Sequence, residues 1–478
     1  MPERLSTAVI IGGGMAGLLT ARVLSDHCNH VTILERDQFV DAPVPRAGVP
    51  QASHSHALLT RGQQLFEEFF PGILGEVVAT GARVIDHVND RRRLVSYGWQ
   101  PRFPSELRML LVSRATLELY VRRRVLAIPN VSLEQGVQVD ELLADGRKIV
   151  GASLADSESD QVREISADLI VDASGRSSNT PEWLENLEFG KVEEQVVDAK
   201  WAYASRFFKH PDKWPHDWLN TIMWPQLRRS DAQRTRGGIL SPLEANRCMV
   251  TLVGNSGDFP PRDEAGFLAF AESLISPVIA DFIKSSLPVS PITFSRSTGN
   301  RWRRYDRLVG MPDNFVVVGD AVAAFNPVYA QGMSCAALEA KELGTELGAW
   351  LALGQDLAGF SKLVQEKIVA SGNFAWAMST QSDSAIEGVI GIQPPSQAAL
   401  AYYERAMALG SIDPNFVVNC EKMANLVGDN KWMVDPEVEQ LVIDNWDRLG
   451  AAAGAPQWPA PKIGQQASAR QPDGHQVG

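Results

Sequence analysis

The chain has 478 residues, 45% hydrophobic and 21% charged, with a formal net charge of -12 and a pI near 5.3. That length has room for two or three cores, and the composition is that of an ordinary globular protein. The acidic balance argues against a phosphate-backbone binder, whose contacts need clustered cations, so nucleic acid is not an expected partner.

Four apolar residues, Ala8-Val9-Ile10-Ile11, read as a buried parallel strand. The next stretch, Gly12-Gly13-Gly14-Met15-Ala16-Gly17, reads as a tight turn, and Leu18 to Leu24 as the start of a helix. The Gly12-x-Gly14-x-x-Gly17 spacing has a physical reason. A turn free of side chains lets the backbone approach a pyrophosphate, the helix packs closely on the strand, and the phosphate rests on the helix N-terminus. A second strand, Val31-Thr32-Ile33-Leu34, ends in Glu35, an acid placed to accept from a ribose hydroxyl. Strand, loop, helix and acid in this register predict an adenine-dinucleotide site.

After Glu35-Arg36-Asp37 comes a proline-rich loop with Arg46-Ala47-Gly48-Val49-Pro50-Gln51, then His54, His56 and an amphipathic run from Ala57 to Phe70. Gly48 suits backbone lying flat against a ligand. The His-x-His pair tempts a zinc reading, but no third ligand stands at a fixed spacing, so no metal is expected. Strand pieces follow at Val84 to Val88 and Leu94 to Trp99, then a helix from about Arg114 to Leu126 with Ser113 as N-cap. The basic runs Arg91 to Arg93 and Arg122 to Arg124 read as solvated faces.

Val131 to Glu134 and Val137 to Val139 read as strands, Ile149 to Ala152 extends the set, and Ala167 to Ser178 is a buried strand opening onto a loop of small residues. From about 186 to 295 the strands Ala199 to Phe208, Leu219 to Trp224, Gly237 to Leu243 and Cys248 to Val253 predict an antiparallel sheet. It is rich in aromatics: Trp201, Tyr203, Phe207, Phe208, Trp214, Trp218 and Trp224. Core filling suits most of them, and such a wall also suits a large apolar ligand. Phe315 to Asp320 is a third strand-to-loop junction, followed by a helix to about Leu351. Residues 356 to 450 read as helical with breaks near Pro394-Pro395 and Pro414, and 453 to 478 as a disordered tail. Cys28, Cys248, Cys335 and Cys420 stand at neither metal nor redox spacing and read as reduced fillers. No run approaches about 18 uninterrupted apolar residues, and the first apolar run carries the glycine loop where a signal peptide would carry a cleavage site. The expectation is a cytoplasmic protein without a membrane span.

Three separated segments, the glycine loop, the Asp172 to Ser178 loop and the Gly319-Asp320 junction, resemble the flavoprotein monooxygenases of the para-hydroxybenzoate hydroxylase superfamily. Arg46-Ala47-Gly48-Val49 looks like that family's loop beside the flavin ring, and Val112-Ser113-Arg114 like the motif whose arginine helps hold FAD. Within the superfamily, Gly48 to Gln51 with His54 and His56, Tyr97-Gly98-Trp99-Gln100-x-Arg102-Phe103-Pro104, and Phe325 to Tyr329 with Gly332-Met333-Ser334 resemble the flavin epoxidases of polyether biosynthesis, the lasalocid and monensin type. The family pattern departs at Ala323, where many relatives have histidine, at Ala330, where they have glycine, and at Ser334, where asparagine is common.

The resemblance implies an α/β fold: a discontinuous Rossmann-like FAD-binding domain of the glutathione-reductase type, an antiparallel-sheet substrate domain and a C-terminal helical region. The implied boundaries are 1–80, 106–185 and 296–355 for FAD binding, 81–105 and 186–295 for substrate, 356–450 for the helices and 451–478 for the tail. It implies cofactor contacts at Gly12, Gly14, Met15, Ala16, Gly17, Glu35, Arg36, Arg46, Gly48, Val49, Arg114, Val139, Asp172, Gly175, Gly319, Asp320, Gly332, Met333 and Ser334. Asp320 would bind the ribityl hydroxyls, Glu35 the adenosine ribose, and Arg46 and Arg114 the phosphate region. Pro327, Gln331, Gly332 and Met333 are the candidates for the oxygen site. Reduced flavin would react with dioxygen to give a C4a-hydroperoxide that passes one oxygen atom to an electron-rich substrate, so no protein nucleophile is required.

The leading expectation is therefore an FAD-dependent monooxygenase acting on a large apolar polyene, polyketide or terpenoid, most simply by alkene epoxidation, because an alkene needs no base and no obvious base stands in the sequence. NAD(P)H would supply electrons, directly or through an external flavin reductase. An aromatic hydroxylase of the same superfamily, an isoprenoid-type flavin reductase and a flavin-binding partner without turnover stay open.

Overall fold

A computed structural model describes residues 4–156, 162–227, 231–428, 432 and 435–454. The chain divides into two compact units, one of Met1–Ala82, Val112–Val197 and Thr298–Thr380, the other of Arg83–Leu111, Asp198–Ser297 and Gln381–Gly478. The last boundary falls inside the helix Phe360–Ser384.

In the first unit a parallel sheet has the strand order Phe315–Val317, Leu169–Asp172, Leu5–Ile11, Cys28–Glu35 and Val131–Gln135. Its strands are apolar on both faces, as a sheet covered on both sides requires, with Ile10, Ile33 and Ile170 on the inner strands and Val316 on an edge strand all fully buried. The helix Met15–Leu24 begins three residues earlier than the sequence pattern suggests, at the first residue after the glycine turn. Helix Gly332–Ala352 packs closely on it: a Cβ at Gly344 would stand 2.9 Å from Val23 Cβ. Helix Arg114–Leu126 starts as expected, with Ser113 Oγ accepting from the Thr116 N–H. Val137–Asp145, Lys148–Asp156 and Val162–Ser166 form an antiparallel three-stranded sheet beside these elements in the chain.

The second unit is built on a seven-stranded sheet, Thr293–Ser295, Ala202–Lys209, Arg247–Gly254, Arg236–Leu243, Asn220–Met223, Arg91–Val95 and Gly98–Trp99. It is not purely antiparallel. Asn220–Met223 runs parallel to Arg91–Val95, because these strands come from distant segments and no hairpin dictates their direction. Two helices that the sequence pattern does not announce, Glu264–Glu272 and Val278–Ser285, cover one face, where Leu94, Ala204, Phe208, Met223, Leu240, Val250 and Leu252 pack against Phe267, Phe270, Ile279 and Phe282. The signal for the first was local: Asp263 caps it by accepting from the Gly266 N–H at 2.8 Å. Phe208 and Trp218 belong to this core and Trp214 packs against it, which settles the role of those three aromatics as filling. The later helices are Gln397–Ala408, Pro414–Ala424, Pro436–Asp444 and Trp446–Ala453, so the first residues assigned to a tail are still helical and 455–478 lie outside the described residues. Among the described residues no helix is long and apolar enough to cross a membrane.

The two basic runs are only partly solvated faces. Arg91 and Arg93 are half-buried. Arg122 is buried over the Phe39 ring and donates to the Val40 carbonyl, because the helix that carries it packs its arginine stems against the loop after Glu35.

Candidate functional site

In the first unit the chain turns three times at the carboxyl ends of adjacent parallel strands, after Ile11, after Asp172 and after Val317, the place where open α/β sheets bind ligands. The turns touch. Ala173 donates from its N–H to the Ile11 carbonyl at 2.8 Å and Val318 to the Asp172 carbonyl at 2.9 Å. A Cβ at Gly12, where φ is +105°, would lie 2.6 Å from the Ala173 carbonyl oxygen, and one at Gly319 would lie 2.6 Å from Ala16 Cβ.

The three fingerprint glycines do different work. A Cβ at Gly17 would come within 1.8 Å of the Gly12 carbonyl oxygen, so this position exists to let helix and turn close on each other. Gly14 faces open space, its nearest neighbour being Arg46 Nη2 at 3.8 Å, and Gly175 has nothing within 4 Å. Gly12 and Gly17 hold the turn shut, while Gly14 and Gly175 leave room in front of it.

Behind the turn lies a network of buried charge. Glu35 Oε2 accepts from the Gly13 N–H at 2.9 Å and from Arg46 Nη1 at 3.0 Å, and its Oε1 from the Asp37 N–H at 2.9 Å. Arg46 also reaches Asp37 at 2.8 Å and Glu118 at 2.9 Å, and Asp37 takes the Gly48 N–H at 2.7 Å. Arg114 closes the network on the other oxygen of Glu118, at 3.0 Å. Burial works against the charge on Arg46, but Glu118 and Glu35 outweigh it and hold the guanidinium more firmly protonated. Burial likewise pushes Glu118 up, yet Arg114 and Arg46 keep it below the usual carboxylate range. The network fixes the 37–48 loop against the glycine turn and the helix Arg114–Leu126.

On the third turn Asp320 takes no hydrogen bond from the described residues. Burial raises its carboxyl, opposed by Arg176 and Arg114. Close in sequence, Gln331 Oε1 and Ser334 Oγ are buried with no hydrogen-bond partner, at the start of helix Gly332–Ala352, whose N-terminus carries no side-chain cap. Ser334 Oγ is packed against Gly62, where a Cβ would stand 2.5 Å from it, so the unpaired Gln331 acceptor beside the uncapped helix N–H groups is what a polar ligand would complete. Glu339, one turn deeper on that helix, accepts from the Gly319 N–H. Its burial pushes the carboxyl up to about 8, and the neighbouring Asp320 charge adds to the shift.

Not every expected residue faces this space. Asp172 is fully buried and turned into its own loop, accepting from the Ser174 N–H at 2.8 Å, Ser178 Oγ at 2.5 Å and Thr180 Oγ1 at 2.7 Å. It shapes the second turn and has no face left for a ligand. Arg36 and Pro327 are exposed, Val49 and Met333 are buried, Met15 is buried inside the first helix, and Val139 is buried on its strand. His56 Nδ1 lies 3.0 Å from the His54 carbonyl, and burial lowers both rings to about 4, so they stay neutral. Ala330 sits at φ +56°, a left-handed conformation that favours glycine, the residue the family resemblance leads one to expect there. Glu118, Asp37 and Glu339 escape a reading by motif. Only the four-residue spacing from Arg114 to Glu118 on one helix hinted at the pair.

The sequence model of the FAD binding domain family matches residues 5–356. Protein Rv3254 of Mycobacterium tuberculosis (strain ATCC 25618 / H37Rv) is 35% identical over 351 residues, 72% of this chain and 73% of that one. Among solved structures, the flavin-dependent brominase Bmp2 is similar with a TM-score of 0.65 at 16% identity, covering 92% of this chain and 98% of its own. PqsL, a probable FAD-dependent monooxygenase from Pseudomonas aeruginosa, is similar with a TM-score of 0.61 at 17% identity, covering 81% and 97%. The tetrameric form of 2-methyl-3-hydroxypyridine-5-carboxylic acid oxygenase gives a TM-score of 0.54 at 18% identity, covering 78% and 92%. At these identities the three structures speak for the fold.

Proposed function

The chain belongs to the FAD binding domain family of flavin monooxygenases, and from that premise we propose that it transfers one oxygen atom from dioxygen to a large apolar substrate, by epoxidation of an alkene. The observation that carries this reading is the meeting of three chain turns at the ends of adjacent parallel strands, with Gly14 and Gly175 open before them and Asp320 and Gln331 left with unused polar atoms. That set fits FAD. Asp320 would take the ribityl hydroxyls, Glu35 the adenosine ribose, the Gly14 turn the pyrophosphate, and Arg114 and Arg46 would set the potential around it. Bound FAD supplies the two-electron activation of dioxygen that no side chain can provide.

What the chain contributes is orientation and electrostatics. The uncapped N-terminus of helix Gly332–Ala352 directs partial positive charge at the start of the third turn, which favours a ligand that gains negative charge on reduction. Gly17 and Gly344 bring helices and turns into contact and exclude water behind the site. Epoxidation is favoured over phenol hydroxylation because an alkene needs no proton removed before it reacts, and Arg46, Glu118 and Arg114 near the first turn are committed to one another.

The test is incubation of the FAD-loaded protein with NADPH, oxygen and separate polyene, terpenoid and phenolic candidates. The reading expects oxygen uptake matched by a product heavier by one oxygen atom from an alkene. Oxygen uptake that yields only peroxide with every candidate, or a product from phenols alone, overturns it.

A further inference from the structure

The strand Asn300–Arg303 lies between Glu194–Val197 and Ala323–Ala324 in a three-stranded sheet of the first unit. Asn300 and Trp302 stand two apart on it, so both side chains leave the same face. The helix Phe360–Ser384 meets that face. Trp376 packs on Trp302 with ring centroids 4.9 Å apart, and Ser379, three residues on and so on the same side of the helix, donates from its hydroxyl to Asn300 Oδ1. Gly372, one turn earlier, faces Phe325, whose Cζ would stand 3.9 Å from a Cβ placed there.

Asn300 carries this contact into the third turn. Its Oδ1 also accepts from the Asn326 N–H at 2.8 Å, and its Nδ2 donates to the Val197 carbonyl at 3.4 Å. Asn326 Oδ1 then accepts from the Val328 N–H at 3.2 Å and so caps the short turn Pro327–Tyr329, after which Ala330 is held at φ +56° and Gln331 leads into the helix Gly332–Ala352. Gln331 Nε2 in turn reaches Met378 Sδ, next to Ser379 in the chain, at 3.8 Å. Asn300, Asn326 and Ser379 are each 0% exposed. Apolar side chains would fill the same volume without the cost of burying polar groups; the polar network instead admits one geometry. What it fixes is the backbone of residues 326–331, which carries the oxygen-site candidates Pro327 and Gln331.

We propose that Asn300 and Ser379 are positioning residues. Through the Asn326 N–H they hold residues 326–331 at one distance from the bound FAD, and that distance sets how much of the activated oxygen reaches the substrate instead of leaving as hydrogen peroxide. The proposal rests on the monooxygenase reading for its effect on the product. Its effect on the bound cofactor needs no turnover.

The experiment compares the FAD-loaded full chain with Asn300→Ala and Ser379→Ala, by visible circular dichroism of the bound FAD and by the ratio of product to oxygen consumed with the best alkene of the screen above. Both variants should change the dichroism of the flavin band, Asn300→Ala more than Ser379→Ala because it removes the bond to Asn326 as well as the bond to the helix. In Asn300→Ala the kcat for product should fall about tenfold, with peroxide making up the difference, while KM stays within about twofold. Trp183→Phe removes a side-chain hydrogen bond elsewhere in the same unit, to the Asp140 carbonyl at 2.8 Å, and should leave both readouts as in the parent. Should Asn300→Ala not fold, Ser379→Ala carries the test alone. Parental dichroism and a parental product ratio in the folded variants, or a shift of equal size in Trp183→Phe, overturns the proposal. A dichroism shift specific to Asn300→Ala and Ser379→Ala in a chain that transfers no oxygen keeps the placement of residues 326–331 against FAD and sinks the monooxygenase reading; oxygenation of alkenes by both variants at the parental ratio does the reverse.

Discussion

Replacing each fingerprint glycine by alanine separates the two tasks of the first turn. At Gly17 the new methyl would lie 1.8 Å from the Gly12 carbonyl oxygen, and backbone on both sides cannot give way. Overpacking of this kind costs about 3 kcal/mol or more. At Gly12 it would lie 2.6 Å from the Ala173 carbonyl, and the +105° φ adds about 1–2 kcal/mol, for a total of about 2–5 kcal/mol. At Gly14 the nearest atom is a flexible arginine tip at 3.8 Å and the backbone is extended, at φ -73° and ψ -174°, so the folded chain loses little. The gain from a stiffer unfolded chain and the poorer N-cap offset each other to within about 1 kcal/mol. Thermal unfolding of the apoprotein and FAD titration read the two effects. Gly12→Ala and Gly17→Ala should lower the melting temperature without FAD present. Gly14→Ala should melt like the parent yet bind FAD about a hundredfold more weakly, because its methyl occupies the space left for the pyrophosphate. A Gly14→Ala protein with parental FAD affinity, or one that melts as early as Gly17→Ala, refutes the assignment.

Other perturbations reach the charge network and the third turn. Arg46→Met leaves Glu35 and Glu118 buried without their shared cation and should cost about 3–5 kcal/mol, measured by chemical denaturation of the apoprotein. Glu339 is raised in the folded state from 4.5 to about 8, so its contribution is fully present below about pH 4.5 and is lost as pH rises through about 8. Glu339→Gln keeps an acceptor for the Gly319 N–H and should flatten the fall in melting temperature between about pH 5 and 8; an unchanged slope counts against the shift. Ala330→Gly relieves the left-handed strain at φ +56° and should stabilise the protein by about 0.5–1 kcal/mol after the added unfolded-chain entropy, read as a higher melting temperature.

The parts legible in the sequence were those fixed by short-range chemistry. The glycine turn, the Ser113 cap and the Gly319-Asp320 junction each carry their reason within a few residues, and the structure places all three turns together. What escaped was set by distant partners. Nothing near Arg46 announces that Glu118, on another helix, will share it with Glu35. Asp172 looks the same in sequence whether it faces a ligand or its own loop, and the choice lies with Ser178 and Thr180. Arg91 and Arg93 read as a solvated run because the element that half-covers them, with Glu421, arrives more than three hundred residues later. The parallel pairing of Asn220–Met223 with Arg91–Val95 is unreadable locally for the same reason.

The most direct measurement of the central claim is FAD titration of the purified chain, followed by gel filtration and an absorbance spectrum, with Asp320→Ala alongside. The account predicts a yellow protein retaining a single FAD per chain and a variant that releases it on the column. A colourless parent that returns all its FAD to the solvent fraction, or an Asp320→Ala protein that holds FAD as firmly as the parent, contradicts it.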